Sequence, residues 1–170
     1  RAVSKMNEKT KKIALFGMMV ALAFIFSYLE HLIPFPLPGV KIGVANIVVM
    51  IALYLLGGKE AFYISMVRIV LVGFTFGSMY SMLYSLAGGI LSLSVMILMK
   101  RSGKFGIPGV SVVGGILHNL GQIATAVLTM DGNLNLFSLL PVYALSGTIA
   151  GIAVGILATL IIQKLKKQLR

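Results

Sequence analysis

The basic residues of this chain come in clusters, and between the clusters almost nothing is charged. From Lys104 to Lys164 the only charged side chain in between is Asp131. Of the 170 residues, 58% are hydrophobic and 11% charged, against about 25% charged in soluble domains. A soluble fold of this size cannot hide that much apolar surface. Lipid is the solvent that fits, with every backbone group satisfied inside helices. The net charge of +11 raises the question of nucleic acid. Its placement, between apolar runs and at both ends, is instead the positive-inside pattern of an integral membrane protein. The chain has no cysteine, which excludes disulfides, thiol catalysis and cysteine metal sites. It has no tryptophan either, so interfacial aromatic anchors must be Tyr and Phe.

Six apolar segments follow one another, at about 13–33, 42–56, 61–76, 79–99, 107–130 and 136–163. The sequence predicts one all-α membrane domain over 13–163, with a basic segment at 1–12 and a basic tail at 164–170. Residues 1–5 precede the first methionine, Met6, and carry no weight in this reading. The stretch 6–12 followed by an apolar run resembles a signal peptide, but the run is long enough to span and lacks a small-residue cleavage site. It reads as a retained first helix.

Charge orients these segments. Lys9, Lys11 and Lys12 precede the first, Lys100, Arg101 and Lys104 follow the fourth, and Lys164, Lys166, Lys167 and Arg170 follow the sixth. Six spans with both termini in the cytoplasm put all three clusters on one side. The opposite loops then hold only Lys41 and Asp131, with Glu30 and His31 at their edge. The second and third segments are short, roughly 22 Å against a hydrocarbon core of about 30 Å. They are either extended by flanking residues, set where the bilayer thins, or folded as a re-entrant hairpin.

The first external loop reads "PFPLPGVK", residues 34–41. Pro34, Pro36 and Pro38 fix three φ angles and remove three N–H donors, and alternating prolines favour extended backbone. Gly39 allows the turn into the second helix. Such a stiff outer loop is either a lid over a cavity or a rigid connector. Lys41 at its edge either attracts an anion or caps the interface.

Inside the helices the polar residues are spaced to share faces. In the fifth, Ser111, Gly115, His118, Gln122, Thr125 and Thr129 recur at steps of three and four, which is one helix face. In the fourth, Ser78, Ser81, Ser85, Gly88 and Ser92 do the same, with Tyr80 and Tyr84 alongside. Polar faces in lipid turn inward, onto other helices or a wet cavity. For the hydroxyls, interhelical hydrogen bonding at about 0.6 kcal/mol each is sufficient explanation. His118, Asn119 and Gln122 exceed what packing requires and point to ligand contact. Arg68 lies near mid-membrane, where a charge is functional or paired; its partners are helix carbonyls, a structural network or an anionic ligand. In the sixth helix Gly147, Gly151 and Gly155 form a ridge for close helix packing.

The runs "PFPLPGVKIGVANIVVMIALYLLG", "EAFYISMVRIVLVGFTFGSMYSMLYSLAGGILSLSVM" and "GVSVVGGILHNLGQIATA", in this order and spacing, resemble the family labelled heptaprenyl diphosphate synthase component I, or Gx transporter. That family in turn resembles the substrate-binding S components of energy-coupling factor (ECF) transporters. The resemblance implies a six-helix bundle in the plasma membrane of a prokaryote. It implies capture of a small nutrient or cofactor precursor from outside, under the loop between the first two helices. A membrane scaffold subunit and two ATPases would be the partners, with ATP used there. This chain carries no G-x-x-x-x-G-K-[ST] phosphate-binding loop. With S-component geometry, Tyr84, Ser85, His118, Asn119, Gln122 and Tyr143 converge beneath the loop. S components dock their scaffold through small residues on the first helix; here Gly17-x-x-x-Ala21 stands in place of a strict Ala-x-x-x-Ala.

The synthase label meets a chemical objection. Prenyl diphosphate synthesis needs Mg²⁺ held by clustered carboxylates. The acidic residues are Glu8, Glu30, Glu60 and Asp131, no two adjacent. The expectation is therefore no enzyme activity, no metal and no bound cofactor, and a transport subunit. An accessory subunit of isoprenoid or quinone synthesis is the first alternative, and a packing scaffold with no ligand the second.

Overall fold

The computed structural model describes residues 7–33, 43–130 and 132–168, and over these it is helical. Six α-helices follow in order: α1 (Glu8–His31), α2 (Val44–Leu55), α3 (Gly58–Thr75), α4 (Met79–Ser102), α5 (Ile107–Thr129) and α6 (Leu140–Gln168). A 3₁₀ segment, Leu134–Leu139, leads into α6. The proline loop and Lys41 lie outside the described residues, as do residues 1–6 and Asp131.

Local chemistry sets the helix ends. Asn7 caps α1 through the Lys9 amide, and Ser78 caps α4 through the Ser81 amide, each satisfying a donor that a helix start leaves orphaned. Gly103, at φ 66°, closes α4 in the left-handed conformation that glycine adopts without a steric penalty. Helix α1 starts within the basic N-terminal segment and α6 runs through Lys164, Lys166 and Lys167. The basic flanks are therefore continuous with their helices.

Successive helices alternate in direction. At one end, Glu30 of α1 meets the start of α2, and Phe24, Tyr28 and His31 surround Phe76 at the end of α3. At the other end, Lys100 of α4 donates to the Leu53 carbonyl of α2 and lies within electrostatic reach of Lys166 and Glu60. Helices α4 and α5 run antiparallel, with Tyr84 on Thr129 and Gly114 against Met96. Helices α5 and α6 do likewise, with Gly115 against Gly147 and Gly155 against Pro108. The C-terminal ends of α4 and α6 and the N-terminal end of α1 thus share one end of the bundle, and with them the basic clusters.

Four helical stretches are long and apolar enough to cross a membrane: Lys9–His31, Met79–Ser102, Ile107–Thr129 and Leu134–Gln168. Helix α3 has 18 residues, about 27 Å, but carries Lys59, Glu60 and Arg68. Helix α2 has 12 residues, about 18 Å, shorter than the segment 42–56 predicted from the sequence. Its surroundings explain the length. Eight of its residues, among them Met50 and Leu53, are buried, because α1, α3 and α6 pack around it. A helix enclosed by protein does not have to match the bilayer thickness. Its backbone is satisfied internally and its side chains fill the core with Ile64, Val110 and Ile162.

The α6 glycine ridge serves packing within the chain. A β-carbon on Gly147 would lie 2.7 Å from the Gly115 carbonyl oxygen, and one on Gly151 or Gly155 would lie 2.6 Å from the Cα of Val112 or Pro108. Helices α4 and α5 meet in the same way, since a β-carbon on Gly121 would lie 2.7 Å from the Cα of Gly88. Small residues let helix backbones touch where lipid supplies no hydrophobic drive.

Candidate functional site

A cavity of about 120 Å³ sits among all six helices. One wall comes from α1, α2 and α3, with Ser27, Glu30, Asn46 and Arg68; the other comes from α4, α5 and α6, with Ser85, His118, Asn119, Gln122 and Ser146. Apolar groups such as Met50, Ile69, Leu93 and Val154 fill the spaces between them.

Glu30 is positioned by the start of α2. Its Oε1 accepts from the Gly43 and Val44 amides, the latter at 2.7 Å, and Oε2 accepts from the Ala45 amide at 3.5 Å. Helix α2 has no side-chain cap of its own, so a carboxylate from the preceding helix takes its orphan donors. A negative charge at that place also complements the helix dipole. Gly43, at φ 87°, turns the backbone so that these amides converge, a conformation that favours glycine.

Arg68 faces the same cavity from α3 and is 9% exposed. Its Nε is sealed from solvent with no hydrogen-bond partner among the described residues. Glu30 is the acidic group whose field reaches it, yet the two form no ion pair within 4 Å. On the opposite wall, Gln122 Oε1 is likewise buried without a partner. Asn119 is different. Its Nδ2 donates to the Tyr143 carbonyl at 2.6 Å and the Ser146 hydroxyl at 3.2 Å, which ties α5 to α6.

Residues 19–161 match the family described as heptaprenyl diphosphate synthase component I. The chain belongs to this family. No curated protein and no solved structure gives a significant match. The matched stretch contains every residue that lines the cavity, from Ser27 to Val154, so the cavity lies wholly within the component I region.

Of the residues singled out from the sequence, Arg68, Ser85, His118, Asn119 and Gln122 line this component I cavity. Tyr84 and Tyr143 do not. Tyr84 is half-buried beside α5, where its hydroxyl meets Thr129 Oγ1 at 3.0 Å; Tyr143 contributes its backbone carbonyl, which holds Asn119. Thr125 and Thr129 bond carbonyls of their own helix at 2.8 and 3.0 Å. Gly17 and Ala21 are both exposed, on the open side of α1, and a β-carbon on Gly17 would meet nothing within 4 Å. Lys41, Pro34, Pro36, Pro38 and Gly39 lie outside the described residues.

Sequence reasoning missed Glu30 and Asn46. Asn46 had a readable signal, as the single amide side chain in the otherwise mostly apolar α2, VANIVVMIALYL. Glu30 had none, because its partners are backbone amides 13 to 15 residues further on.

Proposed function

We propose that this chain captures a small molecule from outside the cell in its intramembrane cavity, as the substrate-binding subunit of an ECF-type importer. In this reading six helices cross the plasma membrane of a prokaryote, with both termini in the cytoplasm. The Pro-rich segment 34–41 closes over the cavity, and Lys41 adds a positive charge at its rim. A scaffold subunit docks on the open side of α1 at Gly17 and Ala21, and two partner ATPases use ATP to drive release inward. The chain itself performs no catalysis and holds no cofactor or metal.

The observation that carries this reading is the cavity with two buried, unpartnered polar atoms, Arg68 Nε and Gln122 Oε1. Leaving such atoms unpaired costs about 1–3 kcal/mol each, a cost that a bound molecule offsets. The alternating helices support the topology, since they gather the basic clusters at one end, as the positive-inside rule requires of the cytoplasmic face. Helix α2 then crosses as a short, protein-enclosed element, and α3 crosses with Tyr63, Val67, Val70, Leu71 and Phe74 exposed.

Two measurements test the reading. Single cysteines at Leu37 and Asn133 should react with an impermeant reagent outside intact cells, and one at Ser102 should not. Labelling at Ser102 would overturn the topology. Mass spectrometry of the purified chain should find a small molecule, and concentrative uptake should require co-expressed scaffold and ATPases; uptake by this chain alone would contradict the subunit role.

The family description supports a second reading, an accessory membrane subunit beside a prenyl diphosphate synthase. It predicts stable association with the synthase and a change in its activity. Co-purification with ATPases instead favours the importer.

A further inference from the structure

Resting on the reading of this cavity as a ligand site, we propose that its occupant is a compact carboxylate, no larger than one small ring. The carboxylate meets Arg68, and an N–H or O–H donor on the same molecule meets Gln122 Oε1.

Three observations carry this. The two unpartnered atoms have opposite character: Arg68 Nε is a donor on α3 and Gln122 Oε1 an acceptor on α5, and both residues line the cavity. A ligand that satisfies both must present an acceptor at one end and a donor at the other. The charge balance then selects the acceptor. Among the described lining residues Arg68 is the only Lys or Arg, and the one carboxylate, Glu30, is already held by three amides of α2. That leaves the guanidinium without a hydrogen-bonded anion, and a carboxylate fits its two-pronged donor geometry. A diphosphate carries more negative charge than one guanidinium balances, and would sit in the field of Glu30. Size sets the last limit. A cavity of about 120 Å³ is somewhat smaller than the roughly 150 Å³ that accommodates benzene. It does not admit a chain of seven isoprene units.

The test is thermal stabilisation of the purified chain in detergent by glycolate, L-lactate and L-serine, each paired with its primary amide, and by isopentenyl diphosphate. At least one carboxylate should raise the melting temperature in a saturable way, and its amide should not. Arg68→Lys keeps the charge but loses the planar fork, and should weaken that probe at least about ten-fold. Gln122→Leu should weaken it similarly, while Tyr84→Phe, outside the cavity, should leave it unchanged. Helix content by circular dichroism establishes that each variant is folded. Amides that bind as well as the acids would overturn carboxylate recognition and leave small-molecule capture standing. Stabilisation by isopentenyl diphosphate alone would overturn the proposal in favour of the isoprenoid reading. No response to any probe, with no co-purifying molecule, would remove both the proposal and the capture role.

Discussion

The two walls of the cavity are built by opposite means. On the α4–α6 side the backbones touch at Gly88, Gly115, Gly121 and Gly147, and the polar groups are neutral amides, hydroxyls and an imidazole. On the α1–α3 side the helices are separated by side chains such as Met50 and Ile64, and the wall carries both charges, Glu30 and Arg68. The glycine wall gains rigidity from close approach, and one amide, Asn119, fastens it further. On the charged wall the two ions form no ion pair within 4 Å. Glu30 is committed to the amides at the start of α2, and in the proposed reading this leaves Arg68 available.

The comparison predicts its largest effect on the glycine wall. Gly147→Val places side-chain atoms against the Gly115 carbonyl and the Asn119 amide, where the obstacle is mostly backbone that cannot yield. The expected loss is at least about 3 kcal/mol, at the upper end for overpacking, seen as aggregation or a large fall in detergent melting temperature. Gly17→Val, on the open side of α1, should change stability by less than about 0.5 kcal/mol, as surface substitutions do. Equal effects at the two positions would contradict the packing described.

Glu30→Gln comes next. It keeps an acceptor for the α2 amides but removes the charge, and should cost about 1 kcal/mol of stability. The same change removes a negative field from Arg68, so a carboxylate probe should bind several-fold more tightly. Unfolding and titration of one preparation separate the two effects. Weaker binding of the probe would mean that Glu30 holds the ligand rather than the helix.

The smallest effect belongs to Tyr84→Phe. The Tyr84–Thr129 hydrogen bond is exposed, and Thr129 already bonds the Thr125 carbonyl. Its loss should cost no more than about 0.6 kcal/mol, with no change in ligand binding.

The glycine wall was readable in the sequence and the charged wall was not. Spacing of three and four places Ser111, Gly115, His118 and Gln122 on one face, and the Gly147–Gly151–Gly155 ridge announces a close contact, because both signals lie within a single helix. Arg68 was visible as a charge among apolar residues, but not its relation to Glu30, which depends on how α1 meets α2. Helix α2 was legible as an apolar run, yet its apolarity alone does not distinguish a helix facing lipid from one enclosed by protein. Tyr84 does not line the cavity, for a related reason. It shares a helix with the cavity-lining Ser85, but successive residues lie about 100° apart around a helix of 3.6 residues per turn, and that step brings Tyr84 to Thr129 of α5 rather than into the cavity.

Arg68→Met tests the central claim most directly, with unfolding and co-purified ligand measured on the same sample. A buried arginine that completes a structural network costs about 3–5 kcal/mol when that network is broken. One kept for a ligand is a desolvated charge without a protein partner, and an apolar replacement of similar length relieves it. The account predicts a variant at least as stable as the parent in ligand-free detergent, within about 1 kcal/mol, that purifies without the small molecule. A variant that is strongly destabilised, or that retains the molecule in full, would contradict it.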